Sequence, residues 1–132
     1  MSSSKYSLTI KETQLDVYGH VNNATYLTLL EEARWEWLNE RNYGLDHIQK
    51  TKKGPVVLEV NLKYKKEIKV RDVISIETQA LGFEGKVGQL KQTMVNQNGD
   101  LCAEAIFVFG FFDLAKRKLI EANEEWKKVV AH

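Results

Sequence analysis

Asp16-Val17-Tyr18-Gly19-His20-Val21-Asn22-Asn23-Ala24-Thr25-Tyr26 places an acid, an imidazole and two amides in a glycine-containing loop. An amphipathic run from Tyr26 to Leu38 follows at once. The spacing predicts a carboxylate beside the N-terminus of a helix. There the first backbone N–H groups lack intrahelical acceptors and the helix dipole adds positive potential. Such donors can polarise a carbonyl oxygen. A carboxylate next to a polarised carbonyl suggests acyl-group hydrolysis. Read on spacing alone, the same residues also serve as ordinary turn and capping residues, with Asn22 or Asn23 as the N-cap.

The helix is expected from about Ala24 to about Asn42. At 100° per residue, Tyr26, Leu27, Leu29, Leu30, Ala33, Trp37 and Leu38 fall in one wide apolar arc. An arc that broad suits a helix largely wrapped by a sheet, and Gly44 is a plausible terminator. Tyr6, Leu8 and Ile10 alternate with polar residues and suggest a first strand. Lys50 to Gly54 reads as a loop. From Pro55, the residues Val56, Leu58, Val60, Leu62 and Tyr64 share one face of a second strand. Val73 to Leu81 and Lys86 to Gln97 supply the third and fourth, joined by a turn at Gly82-Phe83-Glu84-Gly85. Asn98-Gly99 is a hairpin signal, and Leu101 to Phe112 returns as the fifth strand. A short helix is expected over Glu121 to Val130.

Strand, long helix, then four strands on short turns is the pattern of an α+β domain with an antiparallel sheet. The fifth strand is apolar on both faces: Ala105, Phe107, Phe109 and Phe111 on one, Ile106, Val108 and Phe112 on the other. A sheet covered on one side alternates more cleanly. Either the terminal helix or a second subunit is expected to cover the other face.

The chain's 132 residues suit one domain spanning 1–132, and 43% hydrophobic residues suffice for a globular core. A net charge of +1 argues for neither nucleic acid nor an acidic membrane surface. Met1 to Ser7 lacks the apolar core of a signal peptide, and no run approaches a membrane span. Cys102 is the only cysteine, so no internal disulfide can form. These features together suggest a cytoplasmic protein. His20, His47 and His132 are dispersed and no Cys/His cluster occurs in the sequence, which argues against a metal site. There is no nucleotide fingerprint and no nucleophile elbow, so no cofactor is expected.

The pattern Asp-x-x-Gly-His-Val-Asn-Asn-x-x-Tyr, from Asp16 to Tyr26, resembles the active-site loop of hotdog-fold acyl thioesterases, the broad 4-hydroxybenzoyl-CoA thioesterase group. The order of elements after it agrees along nearly the whole chain. The resemblance implies a single hotdog domain, a five-stranded antiparallel sheet wrapped around one long central helix. It implies hydrolysis of an acyl-CoA or acyl-carrier-protein thioester, with Asp16 as general base or nucleophile. It implies that the backbone N–H near Asn23 binds the thioester oxygen, and that the protein is a homodimer or homotetramer.

The loop is also similar to that of plant acyl-carrier-protein thioesterases, with Tyr18 where those have Asn. Their functional Glu aligns with Glu67 in Leu62-Lys63-Tyr64-Lys65-Lys66-Glu67, although Ile68 replaces the Cys that follows there. By that resemblance Glu67 would orient water. His20 is read as ordering the loop beside Asp16.

Lys65, Lys66 and Arg71, within a basic stretch, are candidates for the phosphates of the carrier. Glu31 and Arg34 are three apart on the helix and can pair. Arg34 falls inside the apolar arc, so it needs a partner, and Glu31 is an outside alternative to Asp16 as the working carboxylate. Trp35, Trp37 and Tyr43 are candidates to line an acyl tunnel. Two rival readings remain. One is a hotdog hydratase or dehydratase, although the Asp-x-Asn-Pro-x-His motif of one such branch is missing. The other is a non-catalytic subunit that binds acyl thioesters.

Overall fold

A computed structural model describes residues 3–131. Met1, Ser2 and His132, which enter the sequence reading through the N-terminal segment and the histidine count, lie outside the described residues. The elements are β1 (Ser3–Thr9), α1 (Asn23–Glu40), α2 (Leu45–Thr51), β2 (Lys53–Tyr64), β3 (Val73–Glu84), β4 (Val87–Val95), β5 (Leu101–Asp113), β6 (Lys118–Leu119) and α3 (Glu124–Ala131). The sheet is antiparallel with strand order β1-β3-β4-β5-β2, and the two-residue β6 adds to β5. The expected α+β hotdog arrangement is present, with β6 and α2 as additions. No helix among the described residues is long and apolar enough to cross a membrane.

α1 buries Tyr26, Leu29, Leu30, Ala33, Trp37 and Leu38, the 3–4 spacing of one helical face. Leu27, expected in that arc, is exposed. It lies one turn before Glu31, which is also exposed and borders the cavity beside the edge strand β2. The sheet meets α1 with Ile74, Ile76, Thr78 and Ala80 of β3, Leu90, Gln92 and Met94 of β4, and Ala105, Phe107, Phe109 and Phe111 of β5. Register shifts at Val57/Glu59, Ala80/Gly82 and Met94/Val95 give the sheet bulges that sharpen its twist. The bulge at Leu58 also breaks the single face expected for β2. Val57, Leu58, Val60 and Tyr64 are all substantially exposed.

Gly44 does not stop α1. The stop is Asn42 at φ 58°, which lets the Tyr43 N–H reach back to the Leu38 carbonyl. That is the six-to-one bond of a left-handed C-terminal cap. Gly44 instead caps α2, where a Cβ would collide with the Asn39 side chain. From the sequence no element is assigned to 45–49 and a loop is assigned to Lys50–Gly54; α2 instead runs to Thr51 and β2 begins at Lys53, and seven residues are too few for α2 to show a period.

α3 starts three residues later than expected, at Glu124, just after Asn123, whose Oδ1 accepts the Trp126 N–H at 2.8 Å. Trp126 is fully buried, stacked on Phe111 (5.5 Å between centroids) and edge-on to Tyr43 (5.1 Å) and Phe109 (5.9 Å). The terminal helix therefore joins the α1 face of the sheet. It leaves Ile106, Val108 and Phe112 of the opposite face only half-buried. Trp126→Ala should destabilise the protein by about 3–5 kcal/mol in urea unfolding, the usual cost of emptying a buried aromatic site. A change below about 1 kcal/mol would mean α3 is peripheral to the core.

Candidate active site

The segment from Asp16 to His20 is a tight reversal closed by a bridge between Leu15 and Val21. The Asp16 N–H donates to the His20 carbonyl (2.9 Å), and the Gly19 N–H to the Asp16 carbonyl (3.1 Å). Gly19 takes φ 83°, a conformation that costs glycine nothing. The Asp16 side chain accepts the Tyr18 N–H at 2.8 Å, an Asx-turn that fixes its rotamer from inside the loop. One carboxylate oxygen is thus occupied. The other lies 3.6 Å from His20 Nδ1, beyond hydrogen-bonding distance. The Asp16 side chain keeps 17% of its surface exposed, enough for solvent or substrate to reach it.

His20 sits between neighbours. Its Nδ1 is 3.1 Å from the Val21 carbonyl, and its ring stacks on Tyr18 at 5.9 Å. Its backbone also bridges to Lys69. These contacts hold the loop against the chain that follows β2.

Asn22, one of the two expected caps, is the one used: its Oδ1 accepts the Ala24 N–H at 2.9 Å. The Thr25 N–H goes to the Asn22 carbonyl, the Asn22 N–H to Gln14 and the Val21 N–H to Ile68. Among the described residues no acceptor takes the Asn23 N–H. It is the orphan donor that a helix start is expected to leave.

Asp16 and Asn23 border one open pocket of about 510 Å³, together with Tyr18, His20, Tyr26 and Tyr64. Lys65, Lys66 and Glu67 complete its rim. Most of the expected site residues are therefore neighbours. Glu67 is exposed and lies 3.5 Å from Lys69 Nζ. Lys66 is tied to Asp100 at 2.7 Å, an exposed pair that holds the Asp100 carboxyl below the usual carboxylate range. Lys65 has no side-chain partner among the described residues. Arg71 is not on the pocket; Glu12 clamps its guanidinium with bonds of 2.8–3.1 Å.

The sequence places Tyr26 in the loop motif and Tyr64 in the second strand but gives neither a role at the site. The Tyr64 hydroxyl donates to the Asn23 carbonyl at 2.9 Å, and its ring packs at right angles to the Tyr26 ring, 4.8 Å between centroids. Burial pushes the Tyr26 phenol up to about 12, so it stays neutral at any ordinary pH. No spacing signal links residues so far apart in the chain.

A second cavity, of about 330 Å³, lies beside the later turns of α1, between Arg34, Trp35, Trp37, Trp126 and the Pro55–Val57 end of β2. Trp35 and Trp37 thus line an apolar space, whereas Tyr43 packs under Trp126. Glu31 borders this cavity and not the Asp16 pocket. Nor does it pair with Arg34. The half-buried Arg34 guanidinium donates to Gln92 Oε1 (3.1 Å) and lies 4.2 Å over the Phe107 ring, and desolvation lowers its pKa. Gln92 Nε2 in turn donates to Thr78 Oγ1 (2.9 Å) and to the Leu30 carbonyl (3.0 Å). An amide and a ring contact the cation directly, and the Glu31 charge acts on it without a salt bridge.

The profile of the thioesterase-like superfamily matches residues 10–130. The long-chain acyl-CoA thioesterase FadM of Escherichia coli (strain K12) is 32% identical over 120 residues, which is 90% of each chain. The solved structure of YbaW, a probable thioesterase from Escherichia coli, is 30% identical with a TM-score of 0.85, over 96% of this chain and 95% of that one. A Staphylococcus aureus protein solved in complex with CoA superposes with a TM-score of 0.92 over 99% of this chain and 83% of that one. At 16% identity this last likeness concerns the fold alone. With a family profile spanning nearly the whole chain and a relative above 30% identity, this protein belongs to the thioesterase-like superfamily.

Proposed function

We propose that this protein hydrolyses acyl-CoA thioesters to a free acid and a thiol, with the Asp16 carboxylate and the Asn23 N–H as the reacting pair. One observation carries the reading: a fixed carboxylate and the unpaired first N–H of an 18-residue helix border one pocket. The thioester oxygen accepts from the Asn23 N–H, where the helix dipole stabilises the charge that develops on it. Asp16 either removes a proton from water as its oxygen bonds to the carbonyl carbon, or bonds to that carbon itself. The C–S bond then breaks and the thiolate leaves, taking up a proton. In the second route water afterwards hydrolyses the mixed anhydride.

His20 and Glu67 serve as orienting groups at the pocket's edge. Lys65, aided by Lys66, takes the carrier's phosphates; the position of Arg71 argues against adding it. CoA is favoured over an acyl-carrier protein because the FadM relative is an acyl-CoA thioesterase. A cytoplasmic setting fits the single buried, free thiol of Cys102.

We also propose that the working unit is a homodimer, alone or within a tetramer, joined along β2. This strand is long, lies at the sheet edge and exposes Val57, Leu58 and Val60, a combination that soluble proteins normally cover. Two-fold antiparallel pairing sets the Pro55 end of one copy beside the Tyr64 end of the other. The apolar cavity of one copy then adjoins the Asp16 pocket of its partner and can receive the acyl group.

Asp16→Asn keeps the size of the side chain and removes its charge. It should lower kcat by roughly 100- to 10,000-fold, with Tm and KM little changed. Near-normal kcat would sink the assignment of Asp16, and an accompanying loss in Glu67→Gln or Glu31→Gln would relocate the carboxylate.

Light scattering after size exclusion should give at least twice the chain mass of 15.2 kDa. Leu58→Lys should shift the protein toward a folded monomer with little turnover. A wild-type monomer that turns over fully contradicts the shared site.

A further inference from the structure

We propose that Tyr64 is a positioning residue of this site, its hydroxyl fixing the residue whose N–H polarises the thioester carbonyl. The inference rests on the thioesterase reading above.

The bookkeeping of the first helical turn leads to it. Asn22 gives its side chain to the Ala24 N–H and its carbonyl to the Thr25 N–H. The Asn23 N–H remains for a ligand, so its direction must be set by what holds the rest of Asn23. On one side that is the Asn22 cap. On the other it is the Tyr64 hydroxyl, which donates to the Asn23 carbonyl at 2.9 Å from 41 residues away in sequence. A carbonyl at this helix position already receives the N–H four residues on, and the phenol occupies its second lone pair.

The contact is not a stability device. In the single chain Tyr64 is 53% exposed, and both it and Asn23 border the open pocket, from which water can take the place of either partner. A bond in that setting adds little to folding free energy, because it only exchanges one good partner for another. Yet the ring is held. Its face or edge meets Tyr26 at 4.8 Å and 89°, and Tyr26 is buried one turn after Asn23 on the same side of α1.

The backbone beyond Tyr64 is anchored as well. The Lys65 and Lys66 N–H groups both go to the Cys102 carbonyl, and the Ile68 carbonyl receives the Val21 N–H at 2.8 Å. The stretch from Tyr64 to Ile68 thus grips the chain on both sides of the cap, at Val21 and at Asn23. What the Tyr64 hydroxyl adds is direction, and direction matters most to a donor whose bond strengthens as charge develops on the oxygen.

The test is Tyr64→Phe, which keeps the ring on Tyr26 and removes only the hydroxyl. The expected result is a kcat lower by about ten-fold, since a small misplacement of a reacting group costs up to about 100-fold. KM for an acyl-CoA should change less than about two-fold, because ground-state contacts are retained. Tm should be close to that of the wild type. The amide resonance of Asn23 should shift in the nuclear magnetic resonance spectrum of the free protein.

Unchanged kcat overturns the proposal. So does a kcat loss matched by a large fall in Tm, or a rise in KM at constant kcat, since these mean a structural or binding role. Wild-type protein that turns over no acyl-CoA fails at the thioesterase reading itself and takes this proposal with it. Wild-type turnover with an indifferent Tyr64→Phe removes the proposal alone.

Discussion

The N-terminus of α1 ends in a backbone N–H that no described protein atom accepts. A buried helix start would have to satisfy that group, at a cost of about 1–3 kcal/mol if it failed. The fold keeps it at the wall of an open pocket instead. The long apolar face of the helix lies in the curl of the sheet, while its first turn projects to where β2 ends and the Asp16 loop passes. Asp16 comes within range because the loop is closed on itself by Leu15 and Val21, and held to the chain after β2 by Val21 and His20.

Keeping the N-terminus in place requires that the helix neither slide nor rotate on the sheet. Apolar contacts alone tolerate small shifts. The polar trio of buried Thr78 and Gln92 with half-buried Arg34 does not, because Gln92 bonds the Leu30 carbonyl and the Arg34 side chain at once. A fully satisfied polar group in a core specifies one arrangement where hydrocarbon would accept several. On this view the helix is registered near its middle by Gln92 and at its start by Asn22 and Tyr64. Trp126 closes the far end of the core over Phe111 and Tyr43.

Much of this was legible in the sequence, for physical reasons that differ by element. α1 spans five turns, so its period stands out, and the loop before it carries a specific pattern of acid, glycine, histidine and two amides. The strands β3 and β4 alternate cleanly, β5 stands out as a continuous apolar run, and turns with glycine or Asn-Gly join them. α2 is too short to show a period. The termination of α1 was assigned to Gly44 because glycine favours the left-handed region, but Asn42 adopts it.

The single face read for β2 failed at the bulge near Leu58, where one extra residue reverses every side chain beyond it. The second cover for β5 could not be decided, since either packing direction of α3 fits an amphipathic octamer. At the site, Asp16 and Asn23 lie seven residues apart and could be paired by local reasoning. Tyr64 reaches Asn23 across 41 residues, and Glu12 reaches Arg71 across 59, so neither contact leaves a trace in spacing.

The most direct test of the central claim is a crystal structure with a non-hydrolysable acyl-CoA analogue in which a methylene replaces the thioester sulfur. The account places its carbonyl oxygen about 2.7–3.2 Å from the Asn23 nitrogen, with the Asp16 carboxylate facing the carbonyl carbon. A carbonyl held by another group, with the Asn23 N–H turned to solvent and Asp16 remote from the reacting carbon, would contradict it.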